Sequence, residues 1–193
     1  EHLSTSDPME FARMKEDDLA GLFYTGGTTG RSKGVMLSHR NLIANTLHSQ
    51  ITMPLDGEDT YLVVAPMFHA AGSNSVLQCI ALGICQVVVP AFDPNLCLDL
   101  IEKHRCSATL AVPTMVAALI EAQASNRRDT SSVTLIAHGA SPIATEVLRR
   151  AHEEFPSAEL LHLYGATETS PLVTGLRHEE NLIGTARGKS VGH

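Results

Sequence analysis

Short apolar runs alternate along the chain with longer stretches in which apolar and polar positions are mixed. The short runs predict strands at 20–24, 35–38, 61–65, 86–89, 108–112, 133–137 and 159–163. The longer stretches predict helices at 41–52, 73–82, 94–104, 114–123 and 142–154. Regular alternation of strands and helices is typical of α/β layer folds. The pattern therefore predicts a largely parallel sheet flanked by helices, with ligands binding at the ends of its strands.

The composition of the chain excludes some classes of protein but indicates no particular reaction. The 193 residues suffice for one domain with its own core, and 44% hydrophobic with 18% charged residues is ordinary globular usage. A formal net charge of -7 argues against a nucleic-acid binder, which would present a basic face. The most apolar stretch, 76–92, contains Gln78, Gly83 and Gln86 and is shorter than the ~20 residues of a membrane helix. We therefore expect no nucleic-acid partner and no transmembrane segment.

The cysteines favour a reducing, cytoplasmic setting. The four cysteines form no Cys-x-x-Cys pair and lie in or beside apolar runs, so neither a zinc site nor a disulfide framework is expected. No signal peptide is visible, and because the chain starts at Glu1 without methionine, we expect that the native start is missing. Nothing in the sequence indicates an oligomeric state.

The segment 24–34, Tyr-Thr-Gly-Gly-Thr-Thr-Gly-Arg-Ser-Lys-Gly, carries the strongest chemical signal. Glycines let a backbone approach an anion closely, and successive amides converge into an anion-binding nest. The spacing fits neither Gly-x4-Gly-Lys-Ser/Thr nor Gly-x-Gly-x-x-Gly, so it indicates a phosphate loop of a third kind, against the alternative of an ordinary flexible loop. Its candidate phosphate-binding residues are Thr25, Gly26, Gly27, Thr28, Thr29, Gly30 and Lys33.

Three further segments follow predicted strands. Tyr164-Gly-Ala-Thr-Glu-Thr comes after the apolar run 160–163, Pro-Met-Phe-His69 after 61–65, and His138-Gly-Ala-Ser-Pro after 133–137. Taken singly, each has a plain structural interpretation. Glu168 would be a solvated carboxylate, Tyr164 a core aromatic at a strand end, and His69 an exposed or structural histidine.

Together and in this order, the four segments resemble those of the adenylate-forming superfamily, which comprises acyl-CoA synthetases, luciferases and the adenylation domains of peptide synthetases. The chain departs from the family pattern at three positions. Gly26 replaces a serine, Ser32 replaces a proline that would fix φ, and His138 replaces the first glycine of a Gly-Gly-Ala-Pro segment. Family membership implies part of the large N-terminal domain of the acyl-CoA synthetase fold.

The resemblance also implies roles for individual residues. It places Tyr164 against adenine, Thr167 near the α-phosphate and Glu168 on Mg²⁺, which typically takes one or two protein carboxylates. Lys33 and the loop amides would hold the β- and γ-phosphates, and His69 would lie near the acyl pocket. The remaining contacts to nucleotide and substrate would come from Gly139, Ala140, Ser141 and Gly165.

The implied activity of the intact protein has two steps. A fatty or aryl carboxylic acid reacts with Mg·ATP to give an acyl-adenylate and pyrophosphate, and CoA then takes the acyl group as a thioester. The resemblance covers only the central part of the large domain. Residues 1–193 are therefore predicted to be a single partial AMP-binding domain, without the C-terminal small domain and its catalytic lysine, and to be inactive alone.

Three alternatives stay open at this point. Amino-acid adenylation domains usually carry an aspartate near 68–69 for the substrate ammonium, whereas this chain has His69, Ala70 and Ala71. An unpaired ammonium there would be costly, which favours a simple carboxylic acid. A luciferase-like oxidation and a non-catalytic nucleotide-binding module are the other two.

Overall fold

The computed structural model describes residues 13–26, 32–177, 185–186, 188 and 190–192. Within these residues the chain forms eight strands, five α-helices and one short 3-10 turn. The strands are β1 Leu19–Thr25, β2 Lys33–Ser38, β3 Thr60–Val63, β4 Cys85–Val88, β5 Ala108–Ala111, β6 Leu135–Gly139, β7 Glu159–Gly165 and β8 Leu172–Leu176. The helices are α1 His39–Thr52, α2 Ala70–Leu82, α3 Pro94–His104, α4 Pro113–Ser125 and α5 Thr145–Glu154, and the turn is Thr167–Thr169.

Six strands form the main sheet, in the order β4-β3-β5-β6-β7-β8. Neighbouring strands from β4 to β7 run parallel, and only the edge strand β8 is antiparallel to its neighbour. From β3 to β7, each strand is connected to the next strand along the chain through a helix, which is the usual crossover between parallel strands. The predicted α/β fold with a largely parallel sheet is confirmed.

The first two strands form a separate antiparallel ribbon in which Thr25 pairs with Lys33. The segment between them is the sequence-predicted phosphate loop, and its residues 27–31 lie outside the described part of the chain. The loop therefore follows a strand, as the sequence indicated, but that strand belongs to a separate ribbon and not to the parallel sheet. Two neighbouring apolar runs joined by a glycine-rich turn can pair with each other, so their pattern did not distinguish a ribbon from a parallel strand.

Two hydrophobic clusters cover the two faces of the main sheet. On one face, Leu62, Ile136 and Leu160 pack against buried residues of α3, α4 and α5. On the other, Tyr61 and Leu161 pack with residues of α2 and of the chain that follows α1. The alternation of side chains along each strand sends neighbours to opposite faces, which gives a three-layer α/β/α arrangement.

Most predicted elements agree with the observed ones to within a few residues. The predicted helix 94–104 coincides with α3, where Asp93 caps the first turn and Pro94 occupies it. The predicted helix 142–154 begins instead at Thr145, because Ala140 adopts a left-handed conformation (φ 67°) and the chain turns before the helix starts. Strand β8 was not predicted.

The cysteines are free thiols, three of them in the core. Burial raises the pKa of Cys79 to about 12 and those of Cys97 and Cys106 to about 11, so these side chains stay protonated and pack as small apolar groups. Among the helices that the structure describes, none has the length and apolarity needed to span a membrane.

Candidate active site

A cavity of about 250 Å³ opens at the carboxyl edge of the main sheet and reaches inward between the sheet, α1 and α2. The carboxyl ends of parallel strands meet at this edge, where α/β sheets commonly bind ligands. The lining is mostly apolar and comes from the ends of β3, β5, β6 and β7. It is completed by residues of α1, of α2 and of the turn that leads to β8.

The cavity brings together six of the residues that the sequence singled out. These are His69, Gly139, Ala140, Tyr164, Gly165 and Thr167. Ser141 and Glu168 are exposed and directly follow lining residues. Thr25, Gly26 and Lys33 belong to the β1–β2 ribbon or its loop and do not line the cavity. Gly27, Thr28, Thr29 and Gly30 lie outside the described residues.

His69 caps the N-terminus of α2 and lines the cavity. Its Nδ1 accepts a hydrogen bond from the backbone N–H of Ala71 at 3.3 Å. Because Nδ1 is the acceptor, the proton of the neutral ring sits on Nε2. The capping contact thus fixes the ring at the start of the helix and leaves a donor for a ligand.

The end of β6 approaches β7 so closely that Gly139 is required. A Cβ on Gly139 would lie 2.3 Å from the carbonyl oxygen of Leu163. The next residue, Ala140, is held at φ 67°, a conformation that L-residues adopt at a cost. This strained residue faces the cavity, as backbone at ligand sites often does. Gly139 therefore has a packing role that is independent of any ligand.

The end of β7 carries Tyr164, half exposed at the cavity, and then a tight turn. A Cβ on Gly165 would lie 1.7 Å from the Pro171 carbonyl oxygen, so the turn closes only over glycine. The hydroxyl of Thr169 accepts from the Ala166 N–H at 3.0 Å and bonds to the Pro171 carbonyl at 2.9 Å. These bonds set the positions of Thr167, partly buried, and of Glu168, exposed to solvent.

Asn45 of α1 holds the same turn from the other side, and it was not among the residues predicted from the sequence. Its Nδ2 donates to the carbonyl of Leu172 at 2.7 Å, and its Oδ1 accepts from the Leu172 N–H at 3.2 Å. The side chain is 6% exposed. A polar residue within a helix, on the face that proves to be buried, is the only signal of this contact in the sequence. Asn45 positions the turn without lining the cavity.

His138, which replaces a family glycine, does not face the cavity. It is fully buried on the α3–α5 side of β6, and its ring stacks on that of His162 with centroids 5.0 Å apart. Neither ring nitrogen has a hydrogen-bond partner among the described residues. Burial, with a smaller contribution from His162, lowers the pKa of His138 to about 4. The ring is therefore neutral at pH 7 and its role is packing.

The chemistry of the cavity lining suits an uncharged ligand body. No Asp, Glu, Lys or Arg occurs among the lining residues, all of which lie in the described part of the chain. Exposure falls from the mouth, where Phe68 is 86% exposed, to an inner end at which Met53 is 2% exposed. Only the mouth can accommodate a charged group at low cost.

A metal ion would find few protein ligands here. The described residues contain no cluster of three or more His, Cys, Asp or Glu that could hold one. Glu168 offers a single exposed carboxylate beside the cavity. That arrangement fits Mg²⁺, which keeps several waters and commonly binds through one or two carboxylates and a substrate phosphate.

The fold and the cavity define an α/β protein with a mostly apolar cavity at the carboxyl edge of its sheet. The chain belongs to the AMP-binding enzyme family, whose model matches residues 1–193. The predicted relationship to adenylate-forming enzymes is thereby confirmed.

Individual relatives agree with this assignment. The chain is 34% identical over 180 residues to 4-coumarate–CoA ligase 1 of Arabidopsis thaliana, covering 87% of this chain and 31% of that protein. It is 35% identical to the structure of a long-chain-fatty-acid–CoA ligase of Archaeoglobus fulgidus, with a TM-score of 0.75 over 83% of this chain and 34% of that one. The o-succinylbenzoate coenzyme A synthetase of Bacillus subtilis, in complex with ATP and a magnesium ion, gives 28% identity and a TM-score of 0.79, covering 92% of this chain and 37% of that one. The chain spans about a third of the length of the curated relatives it matches.

Proposed function

We propose that the full-length protein activates a fatty or aryl carboxylic acid with Mg·ATP and transfers the acyl group to CoA. The observation that carries the proposal is the apolar cavity whose mouth is formed by His69, Ala140, Tyr164 and Thr167. In the first step the carboxylate oxygen attacks the α-phosphorus and the bond to pyrophosphate breaks. In the second, the thiol attacks the acyl carbon and AMP leaves.

In this proposal the acid lies with its body in the cavity and its carboxylate at the mouth. Burying the apolar body is favourable, at about 25 cal/mol for each Å² removed from water. The carboxylate stays near Thr167 and the His69 ring, both of which line the cavity and can donate hydrogen bonds. Placing the nucleophile beside the α-phosphate supplies much of the rate enhancement by positioning.

In this proposal the charged phosphates of ATP and the metal ion bind outside the apolar part of the cavity. Lys33 and the amides of the glycine-rich loop would hold the β- and γ-phosphates, and Glu168 would hold Mg²⁺. When bound, the ion neutralises phosphate charge as pyrophosphate leaves. Lys33 and Glu168 are both exposed, as groups that meet a solvated polyphosphate should be.

The cavity lining favours this function over amino-acid adenylation. A substrate ammonium buried in the cavity would need a carboxylate partner, and the lining residues provide none. The relatives that share 34–35% identity with the chain are named as a 4-coumarate–CoA ligase and a long-chain-fatty-acid–CoA ligase. Both names support an aryl or fatty acid as the substrate class.

The test is carboxylate-dependent release of pyrophosphate from Mg·ATP by the full-length protein. A panel of fatty, aryl and amino acids should give release with one of the first two classes, followed by thioester formation when CoA is added. The 193-residue chain alone serves as control, and we expect no turnover from it because the reaction needs groups outside it. ATP binding without release for any acid would favour the non-catalytic nucleotide-binding alternative.

A further inference from the structure

A second cavity, of about 260 Å³, lies at the amino edge of the main sheet, opposite the candidate active site. Its lining includes Thr134, directly before β6, and Glu159, the first residue of β7. The two cavities share no lining residue. Sites for small molecules usually measure ~300–1,000 Å³, so this cavity suits a ligand at the small end of that range.

Three leucines form the apolar floor of this second cavity. Leu55, Leu135 and Leu161 line it and are only 4%, 7% and 3% exposed. They belong to the hydrophobic cluster on the face of the sheet that packs against α2. An aliphatic chain that lies on this floor would lose contact with water, which favours binding.

Charged side chains of both signs border the leucine floor. In the ladder between β7 and β8, His162 lies opposite Leu176, and the same register continued by one residue places Arg177 opposite Leu161. Glu159 lies two residues before Leu161 and therefore on the same face of β7. Neither Arg177 nor Glu159 takes part in an ion pair among the described residues. A guanidinium and a carboxylate thus line one cavity without pairing with each other.

Asp59 adds a second carboxylate, at the far end of the floor. It precedes β3, whereas Arg177 follows β8, and the strands β6 and β7 lie between these two in the sheet. The Asp59 carboxylate is fixed by accepting from the Ser107 hydroxyl at 2.6 Å and from the Asp56 N–H at 2.9 Å. Arg177 is fixed by donating to the Ile51 carbonyl at 2.8 Å. Each charged group keeps acceptors or donors that a ligand can use.

The lining therefore carries two carboxylates and one guanidinium around an aliphatic floor, and a complementary ligand carries two cations and one carboxylate on a hydrocarbon chain. We propose that this cavity binds a basic α-amino acid such as lysine. The carboxylate of the ligand pairs with Arg177 and its α-ammonium with Glu159. Its methylene chain lies on the leucines, and its terminal ammonium pairs with Asp59. The first cavity does not suit this ligand, because none of its lining residues is an Asp, Glu, Lys or Arg.

Calorimetry on the full-length protein compares three matched ligands. Norleucine is lysine without the terminal amine, and cadaverine (1,5-diaminopentane) is lysine without the carboxylate. Lysine should bind with a Kd of about 1 mM or tighter. Norleucine and cadaverine should each bind about tenfold more weakly, because each lacks one charge-assisted hydrogen-bonding group.

Two variants assign the charged ends of the ligand. Arg177→Gln, at an exposed position, should lower the affinity for lysine about tenfold and leave that for cadaverine unchanged. Asp59→Asn should lower the affinity for lysine to that for norleucine, with norleucine unaffected. Arg149→Gln is the matched control, because Arg149 is exposed on α5 and does not line the cavity. It should leave all three affinities unchanged. If Asp59→Asn does not fold, Arg177→Gln and the wild-type ratios decide.

Three results would overturn the inference, and none of them bears on the proposed function. The first is no binding of lysine at concentrations up to about 10 mM. The second is an affinity for norleucine or cadaverine that equals the affinity for lysine. The third is lysine binding that Arg177→Gln leaves unchanged, which would place the amino acid elsewhere on the protein.

Discussion

Glu168 lies on an exposed turn beside the cavity. Replacing its carboxylate tests the proposal that it holds Mg²⁺. Glu168→Gln keeps the shape of the side chain and removes the charge. Since a hydrogen bond or contact to a charged group contributes about 1.5–3 kcal/mol, we expect adenylation by the full-length protein to slow by about tenfold or more. Pyrophosphate release at saturating Mg²⁺ measures it.

The control for this substitution is Glu58→Gln, at an exposed position between α1 and β3 that is not among the cavity-lining residues. It should leave the rate unchanged. A Glu168→Gln protein that retains the wild-type rate would remove Glu168 from the site.

His138 should make stability depend on pH. Its pKa is lowered from 6.5 to about 4 in the folded chain, because burial disfavours the charged ring. Below pH 6.5 the unfolded state takes up the proton first, so stability is full above that pH and declines as pH falls from 6.5 toward 4. At about 1.4 kcal/mol per pKa unit, the loss is roughly 3 kcal/mol. Urea unfolding at pH 7 and pH 4.5 measures most of it.

A pair of variants isolates the histidine from the general effect of acid. His138→Leu cannot take up a proton and should flatten this decline, although loss of the stacked pair with His162 lowers stability at every pH. His48→Gln, at an exposed position on α1, should keep the wild-type dependence. An equally steep decline in His138→Leu would assign the effect to other groups.

Some residues of the site and its surroundings could be predicted from the sequence, and others could not. Tyr164, Thr167 and His69 belong to segments with a characteristic order, and the structure gathers them at one cavity. Asn45 has no such signal, because its importance comes from a bond to Leu172, 127 residues away along the chain. Residues in a local pattern were predictable, whereas residues defined by long-range contact were not.

Elements show the same division between local and long-range causes. Helix α3 has its cap, its proline and its apolar positions within one stretch of chain, and it was predicted at its true ends. Strand β8 has only five residues and includes Thr174 and Gly175. It exists because it pairs antiparallel with β7 after a tight turn, which its own composition does not specify.

The contact between Asn45 of α1 and Leu172, at the end of the turn before β8, gives a prediction at the scale of the elements. Asn45→Ala would leave the Leu172 N–H and carbonyl without their buried partners. Since each unsatisfied buried group costs about 1–3 kcal/mol, stability should fall by roughly 2 kcal/mol or more. Adenylation should slow as well, because Thr167 and Glu168 lie in this turn and would move with it. Urea unfolding and pyrophosphate release measure the two effects.

Thr46→Val, the neighbouring position on α1, provides the control. Thr46 is also buried, but among the described residues its hydroxyl bonds to the Leu42 carbonyl within the same helix. This change should cost little stability and leave the rate unaltered. If Asn45→Ala lost stability but kept the full rate, the contact between Asn45 and Leu172 would support the fold and not the site.

At the scale of the whole molecule, the cavity depends on which strands lie next to one another in the sheet. Its lining comes from residues as distant along the chain as Ser49, Leu110 and Leu172. The alternating pattern predicted a parallel sheet, and a parallel sheet places its strand ends at one edge. The depth of the cavity follows from side-chain packing between the sheet, α1 and α2, which no local pattern encodes.

Helix α1 presents apolar side chains to solvent and polar ones to the interior. Ile43, Leu47 and Ile51 are 58%, 64% and 71% exposed and lie at intervals of four on one face, whereas Asn45 and Ser49 are buried. Such a stripe favours association. We expect the isolated 193-residue chain to self-associate at high concentration, as measured by sedimentation velocity.

Substituting the stripe tests whether it causes that association. The triple variant Ile43→Gln, Leu47→Gln and Ile51→Gln should shift the chain toward monomer without loss of folded signal in circular dichroism, because none of the three side chains is buried. Ile80→Gln on α2 removes one apolar group that is 66% exposed and should leave the association unchanged. A wild-type chain that stays monomeric at high concentration would show that the apolar stripe is too small to drive self-association. A triple variant that associates as strongly as the wild type would place the contact elsewhere.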